Sequence, residues 1–438
     1  MRKFSPLNET RNSKLGFFFL LLYTAFIFIR PQEWTEEGIE FPFIRISLIV
    51  SFVFFILIQS PKNWGIQSWC MLGLTTVMLL SGIRNSWFMG GVNSAVLFIV
   101  SAYIPFVLYS SMLASKRHFN FLLLVILFST LFMLHHGYSQ TVSFDGLAWS
   151  GVSTISGRIR YLGIFNDPND LGMFFLMNIP IAFYLRIRSQ NFFIRLFLLI
   201  LVCALIWGIY KTNSRGTLLG LFALFSVYLM FRYGKVKAFI IIGIFIPIAF
   251  IVMSQFRTID SDEESAYGRI EAWYEGVQMF KSRPLVGVGK DNFMELHFRT
   301  GHNSYVMMMA ELGVVGYTFW FVLIAFTFRK LMIIVNKGLE IKLDKQEEWD
   351  IHKEQYRQLA SVFLYVLVAY LSTAFFLSRS YVVVLYVFLG VSSGLIFLVE
   401  NYTTKENIES VNRNIVLSSV ILSIISLLLL YVVIIILL

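Results

Sequence analysis

Apolar stretches of about twenty residues recur along this chain from residue 15 to its end, parted by short polar connections. The hydrocarbon core of a bilayer is about 30 Å thick and takes ~20 helical residues to cross. No water in that core can satisfy a backbone N–H or C=O, so each stretch must close its hydrogen bonds within itself, as a helix. The pattern predicts about thirteen spans, at 15–30, 43–59, 66–82, 92–114, 119–136, 169–187, 192–209, 216–231, 236–254, 303–328, 359–377, 381–399 and 415–438. The chain, 1–438, reads as a single all-α, polytopic membrane domain. Met1 to Lys14 is polar and basic, and the apolar run after it lacks a small-residue cleavage site, which predicts a retained first helix and not a removed signal peptide.

The connections carry the orientation. With the N-terminus in the cytoplasm, the inside connections hold 22 of the 36 Lys and Arg, the excess that the positive-inside rule requires. The formal charge of +10 is therefore mainly an orientation signal and gives no reason to expect nucleic acid. Of the fourteen basic residues left on the outside, eleven are Arg, whereas inside Lys outnumbers Arg by 12 to 10. Arg grips phosphate with two parallel N–H donors where Lys acts as a point charge. An outer face rich in Arg suits a phosphorylated ligand; anchoring of helix ends at lipid headgroups is the competing explanation for each Arg taken singly.

Composition narrows the class. Hydrophobic residues make up 57% of the chain and charged ones 14%. A soluble domain has about 25% charged residues, so an ordinary soluble globule is excluded. Cys70 and Cys203 both fall in predicted spans and offer neither a disulfide framework nor metal-ligand spacing. An acidic pair at Asp167 and Asp170 is under-ligated for a divalent ion, and no metal or other cofactor is expected.

Two outside connections are long, 137–168 and 255–302. Loops of that length are often functional. Within the second, Ile270, Trp273, Val277 and Phe280 recur at helical spacing and form one apolar stripe, which suits an amphipathic helix lying in the interface. Pro284 ends it, and Gly287 and Gly289 make a tight turn. The inside connection 329–358 carries charges of both signs and reads as a solvated cytoplasmic loop.

Few polar residues here need a chemical explanation. His302 directly precedes an apolar run, and an imidazole can take a proton from a hydroxyl near neutral pH; a capping or interfacial histidine is the plainer alternative. Arg215 stands where a helix begins, opposing the macrodipole unless an anion joins it there. Arg269 opens the amphipathic helix, where a phosphate contact or a bridge to Glu271 or Glu275 would each explain it. Asp167, Pro168 and Asp170 fit a capped helix start. Glu311 lies inside a span, which marks function or a bond to a neighbouring helix. The stretch Val286 to Asp291 lacks phosphate-loop spacing and is set aside.

Three places in the chain resemble the O-antigen ligase and O-antigen polymerase superfamily of bacterial membrane proteins. Arg269 and Trp273 run on to Pro284-Leu285-Val286-Gly287-Val288-Gly289. Next come His302-Asn303-Ser304-Tyr305 and Glu311-Leu312-Gly313-Val314-Val315-Gly316. The third is Ser214-Arg215-Gly216. The resemblance covers about 110 residues. It implies a helical glycosyltransferase of the bacterial inner membrane that moves a glycan from undecaprenyl diphosphate, on the periplasmic side and without metal or nucleotide sugar. The acceptor would be lipid A–core, another repeat unit or a protein hydroxyl. It also implies that His302 is the general base, that Arg215 and Arg269 hold the diphosphate, and that Asn303, Tyr305, Trp273 and Glu311 serve substrate binding. Ligase is the preferred branch. A polymerase with the same donor, or a transporter of lipid-linked oligosaccharide, are the alternatives.

Overall fold

The computed structural model describes residues 11–34, 41–243, 260–336, 346–402 and 404–437. The described residues form helices and connecting turns, without a β-strand. In chain order the helices are α1 (Lys14–Ile29), α2 (Phe43–Leu57), α3 (Ile66–Arg84) and α4 (Phe88–Met112, with one π turn at Ile99–Tyr103). They continue with α5 (Lys116–Val142), α6 (Pro168–Arg188), α7 (Phe192–Thr212), α8 (Arg215–Tyr233) and α9 (Asp260–Ser282). The last four are α10 (Ser304–Val335), α11 (Gln346–Ala374), α12 (Val383–Glu400) and α13 (Lys405–Leu437). Eleven of the described helices are long and apolar enough to cross a membrane, and α2 is a shorter apolar helix. The protein is a multi-pass, all-helical membrane protein. Of the predicted span 236–254, residues up to 243 are helical and the rest lies outside the described residues.

Helix starts follow from local chemistry. Ser13 Oγ accepts the Gly16 N–H at 3.0 Å, Asn191 Oδ1 the Phe193 N–H at 2.8 Å and Ser214 Oγ the Thr217 N–H at 3.3 Å. Each removes one donor that a helix leaves unpaired. Hydropathy marks where a helix leaves lipid, not where it stops. Thus α5 runs past the predicted residue 136 to Val142, α11 begins at Gln346, and α13 begins at Lys405. Helix therefore fills most of 329–358, which the charges had suggested was a loop. Its Lys, Arg and Glu are good helix formers wherever water meets one face.

Hydropathy does not decide which helices are buried in the bundle. The window of α13, mean hydropathy 3.3, is mostly exposed, while that of α6, at 1.3, is mostly buried. Lipid is as apolar as Leu, so burial is driven by packing and not by hydropathy. Small residues allow it: a Cβ on Gly390 of α12 would lie 2.8 Å from the Phe106 carbonyl oxygen of α4.

Successive spans reverse direction, so the two ends of the bundle have different contents. Arg11 pairs with Ser60, and Asn63 Nδ2 donates to Ser393 Oγ at 3.2 Å, at the N-terminal end. At the other end Tyr161 donates to the Ile29 carbonyl at 2.5 Å, and the connections around Arg158, Ser214, His302 and Arg379 gather there.

One joint shapes that second end. Gly313 breaks α10 with φ +63° and ψ −165°. The segment after α9 lies in the break: Val314 N–H donates to Pro284 O at 2.8 Å, Val288 N–H to Ala310 O at 3.0 Å, and Gly289 N–H to Glu311 O at 2.9 Å. Backbone groups freed by the break thus find partners where water is excluded. A Cβ on Gly313 would lie 2.5 Å from the Leu285 carbonyl carbon, and one on Gly287 would lie 2.2 Å from that of Glu311. Gly313→Ala combines a left-handed φ with that collision, and is expected to lower stability by about 2 kcal/mol or more. Thermal unfolding of the detergent-solubilised variant at an unchanged midpoint would show that the break is not sterically required.

Candidate functional site

A cavity of about 300 Å³ opens at the end of the bundle away from the N-terminus. Three arginines line it, Arg158, Arg215 and Arg269, and among the described residues no carboxylate does. Arg215 is the first residue of α8, directly after its N-cap Ser214, so its side chain and the helix N-terminus present positive charge together. Gly216 is part of the wall, which lets an anion approach the backbone there. Arg269 comes from α9, one turn before Trp273. Trp273 is buried, also lines the cavity, and donates from Nε1 to the Gly301 carbonyl at 2.8 Å. Arg158 is fixed from two sides: Nε donates to Thr212 O at 2.7 Å and Nη2 to Asn169 Oδ1 at 2.8 Å.

His302 sits between this Trp-held glycine and the N-cap of α10. Its φ is +43°, a left-handed conformation that a non-glycine residue seldom adopts. The ring is half-buried. Burial pushes its pKa below the ordinary 6.5, and Arg269, Arg379 and Arg299 push the same way against the opposing charge of Asp167. The imidazole is therefore neutral at neutral pH and able to accept a proton. Arg269 thus connects the cavity with the histidine.

The other sequence candidates have structural partners. Asn303 caps α10, with Oδ1 accepting the N–H of Tyr305 at 2.9 Å and of Val306 at 3.2 Å. Its Nδ2 is buried without a hydrogen-bond partner among the described residues. Tyr305 donates to Leu371 O at 3.3 Å and its ring lies 5.3 Å from that of Trp320. Glu311 is fully buried, and Oε1 accepts the N–H of Asp291 at 3.0 Å and of Phe293 at 3.4 Å. These bonds hold the turn that enters the Gly313 joint. None of the three lines the arginine cavity. Among the described residues, no group of three or more His, Cys, Asp and Glu is placed to hold a metal ion.

Sequence reasoning missed one pair. Asp167 does cap α6, accepting the Asn169 N–H at 2.8 Å. Asp170 does something else: it receives Arg379 Nε at 2.5 Å and Nη2 at 2.6 Å, a two-pronged ion pair across 209 residues of chain. The Arg379 N–H donates to Ser304 Oγ at 2.8 Å, and Ser380 Oγ donates to Ser304 O at 2.7 Å. The 375–382 connection is thereby stapled to α6 on one side and to the start of α10, two residues beyond His302, on the other. The available signal was that both residues stand at span ends on one face. Nothing in the spacing paired them.

Asp170→Asn removes the buried charge and leaves Arg379 with half a partner. The expected loss of stability is about 3 kcal/mol, at the low end for breaking a buried pair because Arg379 keeps some access to water. Equal unfolding midpoints for the variant and the parent protein would mean that the pair does not hold this connection.

No curated protein matches the chain. Residues 196–321, from α7 to the middle of α10, match the family model described as O-antigen ligase. Arg215, Arg269, Trp273 and His302 all fall within it, whereas Arg158, Asp170 and Arg379 are brought to it by folding. Over that stretch the chain is similar to the O-antigen ligase family.

Proposed function

We propose that this protein transfers a glycan from an undecaprenyl-diphosphate-linked donor to an acceptor hydroxyl on the periplasmic face of the bacterial inner membrane, with its N-terminus in the cytoplasm. The observation that carries the reading is the cavity into which folding brings Arg158, Arg215 and Arg269 together, with Arg269 also acting on the pKa of His302.

The chemistry follows from charge. The anomeric C–O bond to the diphosphate breaks, and its electron pair stays with the phosphate oxygen. Arg215 and Arg269 stabilise that charge as it develops, which is the kind of interaction that raises a rate. The acceptor oxygen forms the new bond to the anomeric carbon and gives its proton to the neutral imidazole of His302. The donor is already activated, so the step consumes no nucleotide. Trp273 and the Asn303 cap hold the histidine's backbone from either side and act as positioning residues.

The ligase reading is preferred over polymerase, which shares the donor, on the match to the O-antigen ligase model. The acceptor is then lipid A–core or a protein hydroxyl, or another repeat unit if the enzyme polymerises. A transporter of lipid-linked oligosaccharide is less well supported. Transporters place charged sites near the midplane of broken helices, and the buried acid beside the break in α10, Glu311, bonds to backbone N–H groups.

His302→Ala is expected to abolish transfer while the protein still inserts and the lipid-linked donor accumulates. Normal glycan product from that variant would reject the base. Arg215→Lys keeps the charge and loses the paired donors. Its rate should fall by about tenfold or more, since a charge-assisted bond contributes roughly 1.5–3 kcal/mol; full activity would rule out two-pronged phosphate binding.

The pH profile gives a separate test. The base form is lost as pH falls through the lowered pKa of His302, so kcat/KM should decline on an acid limb that inflects below 6.5. The Asp167 carboxylate opposes that lowering. Asp167→Asn retains an N-cap residue and should move the limb to still lower pH. A limb that stays in place or moves to higher pH would separate His302 from the titration.

A further inference from the structure

A second cavity, of about 620 Å³, adjoins the arginine cavity and shares Arg158 and Asn169 with it. Its chemistry is different. Asp167 and Asp170 stand in its wall with Arg158 and Arg379, so its charges balance, and Asn166 and Asn169 supply amides. Asp170 is spent on Arg379. Asp167 is not: Oδ1 is engaged with the backbone and side chain of Asn169, while Oδ2 lies 3.9 Å from Arg379. Asn166 is exposed, and its Oδ1 accepts from Arg160 Nη1 at 2.8 Å, which leaves its N–H2 group as the donor it can offer. Ile155, Ile164 and Val382 add apolar wall.

We infer that this second cavity is a carbohydrate subsite, an inference that rests on the glycan-transfer reading above. A diphosphate is drawn more strongly to the neighbouring cavity, where the described residues bring three guanidinium groups and no carboxylate, than to this one, whose charges balance. A neutral sugar has the complementary needs: acceptors and donors for its hydroxyls, and apolar surface for its C–H faces. The Arg158–Asn169 bond at 2.8 Å is the partition between the two. His302 senses Arg269 from one cavity and Asp167 and Arg379 from the other, so it stands within electrostatic reach of both. A third cavity, of about 760 Å³ around Arg283 and Glu295, shares no residue with the arginine cavity and lacks this continuity. The sugar held there is either the one attached to the donor diphosphate or the one that presents the acceptor hydroxyl.

The test measures binding to the full-length protein in nanodiscs with three probes. These are undecaprenyl diphosphate, undecaprenyl-diphosphate-linked N-acetylglucosamine, and oligosaccharide released from the host envelope by mild acid. Two variants perturb the subsite: Asn166→Ala removes the amide, and Ile155→Trp, at an exposed turn position, narrows the wall. If the donor's sugar is held, the glycosylated lipid binds better than the bare diphosphate, and both variants erase about tenfold of that gain, the factor for ~1.4 kcal/mol. If the acceptor's sugar is held, the two lipids bind alike and the released oligosaccharide loses about tenfold in affinity in the variants, by the same conversion. If undecaprenyl diphosphate binds but neither sugar-bearing probe distinguishes the variants from the parent protein, the subsite is overturned alone. If undecaprenyl diphosphate does not bind, the glycan-transfer reading falls and the subsite with it.

Discussion

The two-pronged pair between Arg379 and Asp170 is the contact on which the end of this bundle away from the N-terminus depends. Asp170 belongs to a helix that begins a third of the way along the chain, and Arg379 to a connection near its end. A carboxylate that is almost wholly buried is tolerated only when a partner meets its charge. Here the partner also carries the N–H that holds Ser304, so satisfying one buried charge fixes the mouth of α10. The position of His302 follows from that mouth on one side and from the Trp273 bond to Gly301 on the other.

The membrane sets the terms for the rest. A broken helix in lipid leaves backbone groups without partners unless protein supplies them. The break at Gly313 is filled by Pro284 to Gly289, and Glu311 holds the turn that follows. The polar features inside this bundle are therefore largely architectural.

At the end away from the N-terminus, two neighbouring cavities separate charge. One collects three guanidinium groups and, among the described residues, no carboxylate, and the other balances acid against base. Such a division suits a donor whose two halves differ in charge, a diphosphate and a sugar. The His302 imidazole, at the start of α10, is kept unprotonated by burial and by the surrounding arginines.

The sequence alone determined the all-helical membrane class, and it singled out Arg215, Arg269 and Trp273, which line one cavity, and His302 before α10, because these readings rest on local facts: hydropathy over twenty residues, helix starts and short motifs. It misjudged 329–358, since charge marks exposure to water and not the end of a helix. Asn303, Tyr305 and Glu311 stood beside informative residues, yet their side chains turned to a cap, a helix contact and a joint. Only the tertiary structure decided that Arg158 joins Arg215 and Arg269, that Asp170 meets Arg379, and that two cavities share a wall. Such pairings join residues up to 209 positions apart, and nothing in one chain's local pattern fixes which helix ends become neighbours. That choice is made by the packing of small residues and buried charges across the whole bundle.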